Sequence, residues 1–299
     1  MWAGFARDFG ETTVGMREGK VTCLSAAGFH RMAYVEWGDP ANPKVLVCVH
    51  GLTRCSRDFD FLAQALADNY RVVCPDVVGR GRSDWLRSKS LYALPQYCAD
   101  MTALLARLNV ETVHWVGTSM GGLIGMALAS QPETPITRLV LNDVGPVIAA
   151  VSLGRIGEYL GNAPRFDGIE QAEAFVRFVS ATFGSFSDAQ WRHLTVHVTR
   201  PTADGKVEFA YDPGIAQPFR EMQAASEGKD IELWPLYDDI ACPTLLLRGV
   251  ASDLLTHDTA LQMSERGPRA RLVEVPGVGH APMLMDAAQV APVREFLLA

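Results

Sequence analysis

The sequence has no Cys-x-x-Cys pair, no block of lysine and arginine, no internal repeat and no low-complexity tract. Without paired cysteines, Cys23, Cys48, Cys55, Cys74, Cys98 and Cys242 read as reduced, structural thiols, several of them inside apolar runs where a thiol acts as a small hydrophobe. Without a basic block, and with 34 acidic against 27 basic residues for a net charge of -7, the chain opposes a phosphate backbone, and nucleic acid is not an expected partner. The longest apolar runs, such as Val45 to Val49 and Thr244 to Leu247, fall far short of the roughly 18 residues of a membrane span. Residues Met1 to Gly15 mix Arg7, Asp8 and Glu11 with aromatics and hold no continuous apolar stretch, so no signal peptide and a cytoplasmic location are expected. Glycine (26) and proline (17) are spread between apolar runs, and 48% hydrophobic residues over 299 positions suffice for one large domain or two small ones.

Strand-like and helix-like segments alternate, the pattern of parallel strands joined by crossover helices, so an α/β class with a mostly parallel, doubly wound sheet is expected. Val21 to Ser25 and Met32 to Trp37 read as an opening hairpin through Ala27-Gly28. Val45 to Val49, Arg71 to Cys74, Val113 to Val116, Leu139 to Asn142, Thr244 to Leu247 and Arg271 to Val275 are short, nearly continuous apolar runs, as strands buried on both faces require. Leu94 to Leu108 places Leu94, Tyr97, Cys98, Met101, Leu104, Leu105 and Leu108 on one helical stripe, with Pro95 suited to the first turn and Asn109 to the stop.

The rhythm changes after Asp143. Ala172, Phe175, Val176, Val179 and Phe183 make one helical stripe, and Trp191, Leu194, Thr195 and Val198 another behind a Ser187/Gln190 capping box. Asp204-Gly205 before Val207 to Tyr211 suggests a turn into a short extended piece. The expected organisation is a core of residues 1–145 and 236–299, with residues 146–235 inserted as a mainly helical cap.

Gly117-Thr118-Ser119-Met120-Gly121-Gly122 lies between the strand-like Val113 to Val116 and the apolar helix Leu123 to Ala129. A Gly-x-Ser-x-Gly string is weak evidence alone; at a strand-to-helix turn it holds the serine in a backbone conformation that only small neighbours permit and lifts its hydroxyl above the sheet. The turn also aims free helix amides at charge forming beside Ser119. A hydroxyl is a poor nucleophile near neutral pH and needs a base, itself oriented by a carboxylate.

Around these residues the chain resembles the α/β-hydrolase superfamily over nearly its whole length, as a serine esterase or lipase-like member with an inserted cap. The resemblance implies that His50-Gly51-Leu52, after a strand, supplies one oxyanion amide at Leu52, the other coming from Met120, with His50, Gly51, Gly117 and Gly121 supporting the site loops. Asp76 to Ser83 looks like the family's Asp-x-x-Gly-x-Gly-x-Ser loop, which the residues alone explain as a multi-turn connection needing glycine. Gly277-Val278-Gly279-His280-Ala281-Pro282 matches the histidine loop, making His280 the base. Arg248 to Asp253 stands where the family carries its acid, so Asp253 is expected to complete the triad in the order Ser119, Asp253, His280, with Asp143, one strand earlier, and Asp258 as alternatives. A serine at position 119 disfavours the carboxylate-attacking haloalkane dehalogenases and epoxide hydrolases.

Other features carry less. His193 and His197 have the spacing of a helical metal pair but lack the glutamate of the zinc-protease motif, so a solvated helix face is expected and no metal. His257 reads as an exposed loop histidine or a site-edge residue. Phe166, Phe175, Phe178, Phe183, Phe186, Phe209 and Phe219 either line an acyl pocket or pack a cap core, the latter favoured for Phe175 and Phe183. The expected reaction is cofactor-free cleavage of a carboxylic ester with a small or medium apolar acyl group, by a monomer or homodimer. Rivals are a carbon-carbon bond hydrolase of the meta-cleavage type, whose histidine is commonly followed by tryptophan where Ala281 stands here, a perhydrolase or haloperoxidase, an acyltransferase, and a non-catalytic receptor for a small ligand.

Overall fold

A computed structural model describes residues 15–299. The signal-peptide expectation rests on Met1 to Gly15, of which residues 1–14 lie outside the described residues. The hairpin of β1 (Arg17–Ser25) and β2 (Gly28–Trp37) opens the chain, followed by β3 (Val45–Val49), α1 (Asp60–Leu66), β4 (Arg71–Pro75), α2 (Leu94–Leu108), β5 (Val113–Thr118), α3 (Met120–Ala129) and β6 (Ile136–Asn142). A long excursion then carries β7 (Val147–Ile148), α4 (Ala150–Tyr159), β8 (Arg165–Phe166), α5 (Ile169–Val179), α6 (Asp188–Val198), β9 (Thr199–Pro201), β10 (Val207–Phe209), α7 (Ala216–Ala225), β11 (Ile231–Glu232) and α8 (Trp234–Asp238). The chain returns to the sheet with β12 (Thr244–Gly249), α9 (His257–Glu265), β13 (Arg271–Val275) and α10 (Ala287–Leu298).

Eight strands form one sheet in the order β1-β2-β4-β3-β5-β6-β12-β13, antiparallel through β1, β2 and β4 and parallel from β4 to β13. Side chains alternate between faces: Val45, Val47 and Val49 pack with α2 and α3, while Leu46 and Cys48 pack with α1 and α10. That double burial is why the strand sequences are continuously apolar. The crossover helix α2 has Pro95 in its first turn and stops at Asn109, whose φ of 55° is left-handed. All six thiols are unpaired, and burial pushes those of Cys23 and Cys98 up, to about 12 and about 11.

The excursion has its own small sheet, β8-β10-β9, and its own aromatic cluster, in which Phe166, Phe175 and Phe209 stack with ring centroids 5.4 to 5.9 Å apart. Phe183 and Phe186 pack beside Trp191, Phe219 packs against the main core, and Phe178 is exposed. The Ser187/Gln190 capping box forms at the start of α6. The solvated face expected for His193 and His197 does not occur: α6 docks on the core with them. His193 Nε2 donates to the Arg57 carbonyl at 3.0 Å, the two rings meet edge-on at 4.5 Å, and burial lowers both from the ordinary histidine value. Nearby Asp60 is engaged by the Arg57 guanidinium.

Candidate active site

Ser119 stands between β5 and α3 with φ 52° and ψ -117°, a left-handed conformation unfavourable to a residue with a side chain. Two close approaches enforce it. A Cβ on Gly117 would lie 2.2 Å from the Gly121 carbonyl oxygen, and one on Gly121 would lie 2.0 Å from that of Val49. The Ser119 N–H donates to Asn142 O at 3.0 Å, tying the turn to the end of β6.

Facing it, on the loop after β13, His280 is 2.7 Å through Nδ1 from the Asp143 carboxylate and 3.0 Å through Nε2 from Ser119 Oγ. Asp143 directly follows β6 with φ 55° and is fully buried. Its remaining capacity is used by Gly249 N–H at 2.9 Å and the Ser252 hydroxyl at 2.6 Å. Carboxylate, imidazole and hydroxyl therefore form one hydrogen-bonded series drawn from the carboxyl ends of three parallel strands.

Asp253 is not part of it, which corrects the expected acid. Its side chain is 55% exposed and pairs with Arg155 of α4 at 3.0 Å. The loop after β12 instead turns Ser252 inward, so that it braces Asp143 rather than supplying the carboxylate. Asp258 is exposed in the first turn of α9. His257 is exposed too and binds Glu274 at 3.0 Å, away from Ser119.

Met120 is the first residue of α3, so its N–H has no acceptor within the helix. Leu52 lies on the loop that passes Ser119: a Cβ on the preceding Gly51 would stand 3.7 Å from Ser119 Cβ. His50, fully buried, anchors that loop, with Nδ1 donating to Gly51 O at 2.7 Å and Nε2 accepting the Val77 N–H at 2.9 Å. Desolvation lowers it to about 4, which keeps Nε2 free to accept. The Asp76 carboxylate orders the next loop by accepting the N–H groups of Ser56 and Arg82. Over the histidine loop, the segment Ala181–Phe183 of the excursion offers the Thr182 carbonyl to Gly279 N–H at 2.6 Å.

A mostly parallel sheet with a strand-to-helix serine turn and a facing histidine defines a class: the chain belongs to the alpha/beta hydrolase family, whose sequence profile matches residues 46–293, and it is a hydrolase. Its similarity to one relative is closer than family level. The chain is 52% identical over 286 residues to the 3-hydroxybutyrate-oligomer hydrolase of Cupriavidus necator, covering 94% of this chain and 97% of that one. A 2-(acetamidomethylene)succinate hydrolase of Mesorhizobium japonicum is 24% identical over 79% of this chain and 81% of its own. The crystal structure of an alpha/beta hydrolase from Novosphingobium aromaticivorans matches with a TM-score of 0.82 at 35% identity, over 95% of this chain and 98% of that one. Among the described residues no helix is long and apolar enough to cross a membrane.

Proposed function

We propose that this protein is a serine hydrolase that cleaves ester bonds, with short oligomers of 3-hydroxybutyrate as its substrate class. The observation that carries the reading is the hydrogen-bonded series from Asp143 through His280 to Ser119, at 2.7 and 3.0 Å. The 52% identity to a 3-hydroxybutyrate-oligomer hydrolase supports this substrate class. Such oligomers are hydroxyacid chains joined by esters, a more polar acyl group than the small or medium apolar one expected from the sequence.

Ser119 Oγ attacks the ester carbonyl as His280 Nε2 takes its proton, and Asp143 holds the imidazole in the tautomer with hydrogen on Nδ1 and stabilises the imidazolium. The carbonyl oxygen becomes an oxyanion bound by the backbone amides of Leu52 and Met120. Collapse expels the alcohol with the proton from His280 and leaves an acyl-enzyme. Water, deprotonated by the same imidazole, then releases the acid and restores the hydroxyl. Residues 146–235 act as a cap that bounds the acyl site, a role supported by the Thr182 contact to the histidine loop. The unpaired thiols support a reducing, cytoplasmic location.

The test is chromatographic analysis of linear 3-hydroxybutyrate dimer and trimer incubated with the enzyme. Monomer release by the wild type and none by Ser119→Ala is expected. Intact oligomers alongside rapid turnover of unrelated esters would reject the substrate, and equal turnover by Ser119→Ala would reject the mechanism.

A further inference from the structure

Arg80 is fully buried, yet among the described residues no carboxylate pairs with it. An arginine keeps its charge, and a buried charge without a counter-ion is costly unless neutral dipoles surround it. Here they do. Nε donates to Leu52 O at 2.8 Å, Nη1 to Val78 O at 2.8 Å and to Tyr97 Oη at 3.0 Å, and Nη2 to Met120 Sδ at 3.4 Å. The rings of Tyr97 and Tyr92 lie 5.0 and 5.8 Å from the guanidinium carbon. Two of these partners, Leu52 and Met120, are the residues whose amides face the oxyanion in the reading above. One guanidinium thus touches both residues of the oxyanion site, through the carbonyl of Leu52 and the side-chain sulfur of Met120, with its donors spent on neutral acceptors and the buried Asp76 carboxylate beside the next residue, Gly81.

The loop bearing it is seated on the excursion between β6 and β12. Gly81 N–H donates to Ala210 O and Asp212 N–H to Gly79 O, each at 2.8 Å, with Arg80 bridged to Tyr211 between them. The backbone of Arg80 is therefore fixed from the cap side while its side chain reaches the oxyanion side.

We propose that Arg80 is a positioning residue for the oxyanion site: by holding the Leu52 carbonyl and the Met120 side chain it sets the placement of the Leu52 and Met120 amides that receive the tetrahedral anion. It touches no reacting atom. The inference rests on the serine-hydrolase reading and on those two amides as the oxyanion donors. Its signature is selective, because a group that acts on the anionic transition state changes kcat and leaves ground-state binding alone.

The experiment compares Arg80→Met, which removes the charge at similar bulk, and Arg80→Lys, which keeps it with shorter reach. Each is read as kcat and KM on p-nitrophenyl butyrate and as inhibition by a boronic acid, whose serine adduct is a tetrahedral anion. Arg80→Met is expected to lower kcat about 100-fold or more and to weaken the boronate by a similar factor, with KM within about threefold, and Arg80→Lys to recover at least about tenfold in kcat. A folded Arg80→Met enzyme with kcat within about threefold of wild type, or one whose loss sits in KM with boronate binding unchanged, overturns the proposal. Should Arg80→Met fail to fold, Arg80→Gln, whose shorter side chain cannot span Leu52 O and Met120 Sδ together, reads the same split: lowered kcat at constant KM supports the proposal and unchanged kcat overturns it. Ser119→Ala run in parallel separates the two readings. An active Ser119→Ala enzyme sinks the serine mechanism itself, whereas an inactive one beside a fully active Arg80→Met sinks only the role of Arg80.

Discussion

Replacing Asp143 by asparagine separates the two carboxylates that could orient His280. The carboxylate accepts three hydrogen bonds, from Gly249 N–H, the Ser252 hydroxyl and His280 Nδ1, the last two on Oδ2. A carboxamide can still accept from Gly249, but its NH2 then faces two groups that donate. The imidazole relieves that conflict by moving its hydrogen to Nε2, where it can no longer take the serine proton. Where this swap has been analysed in a triad the cost is about 10⁴ in kcat, equivalent to about 5 kcal/mol of transition-state stabilisation. Leaving buried donors unpaired costs a further 1–3 kcal/mol or so of folding stability, so activity is to be normalised to folded enzyme. Asp253→Asn breaks only a half-exposed pair with Arg155, worth at most about 1 kcal/mol, and leaves catalysis untouched. The assay is initial-rate ester hydrolysis by both variants, with melting temperatures alongside. An Asp143→Asn enzyme within about tenfold of wild type, or an Asp253→Asn enzyme slowed by orders of magnitude, would refute the assignment.

His50 gives folding a pH dependence of defined sign. Its folded value of about 4 lies below the unfolded value near 6.5, so the unfolded chain binds the proton first. Stability is fully present above about pH 6.5 and declines toward pH 4 by about 3 kcal/mol from this group; urea unfolding across that range checks it, and an equal slope in His50→Gln would contradict it. Gly121→Ala places a methyl 2.0 Å from the Val49 carbonyl oxygen and is expected to cost about 3 kcal/mol or more along with most activity; a wild-type melting curve would be the contrary result. Ser187→Ala removes the cap of α6 and is expected to cost about 1 kcal/mol in chemical denaturation, whereas no change would mean that packing alone holds the helix start.

The sheet was legible because burial on both faces writes itself as continuous apolar runs, and α2 because its stripe, its proline and its left-handed Asn109 agree. The serine turn was legible for a steric reason: only glycine fits at 117 and 121. The acid was not. Asp143 and Asp253 follow the ends of adjacent strands, and which one turns inward depends on a left-handed backbone at Asp143 and on Ser252 facing in. The one sequence hint was that serine beside Asp253, a donor ready to brace a carboxylate from elsewhere. The two helix histidines were misjudged because polar spacing on a helix does not distinguish solvent from a second layer of the fold. Arg80, set in a loop readable as a glycine-rich connection, gave no sign of its contacts to Leu52 and Met120.

The most direct test of the central claim is active-site titration with a fluorophosphonate, followed by peptide mass mapping. Stoichiometric labelling confined to Ser119, loss of hydroxybutyrate-oligomer hydrolysis in proportion to label, and no labelling of Ser119→Ala are predicted. Label elsewhere, or undiminished hydrolysis by fully labelled enzyme, would contradict the account.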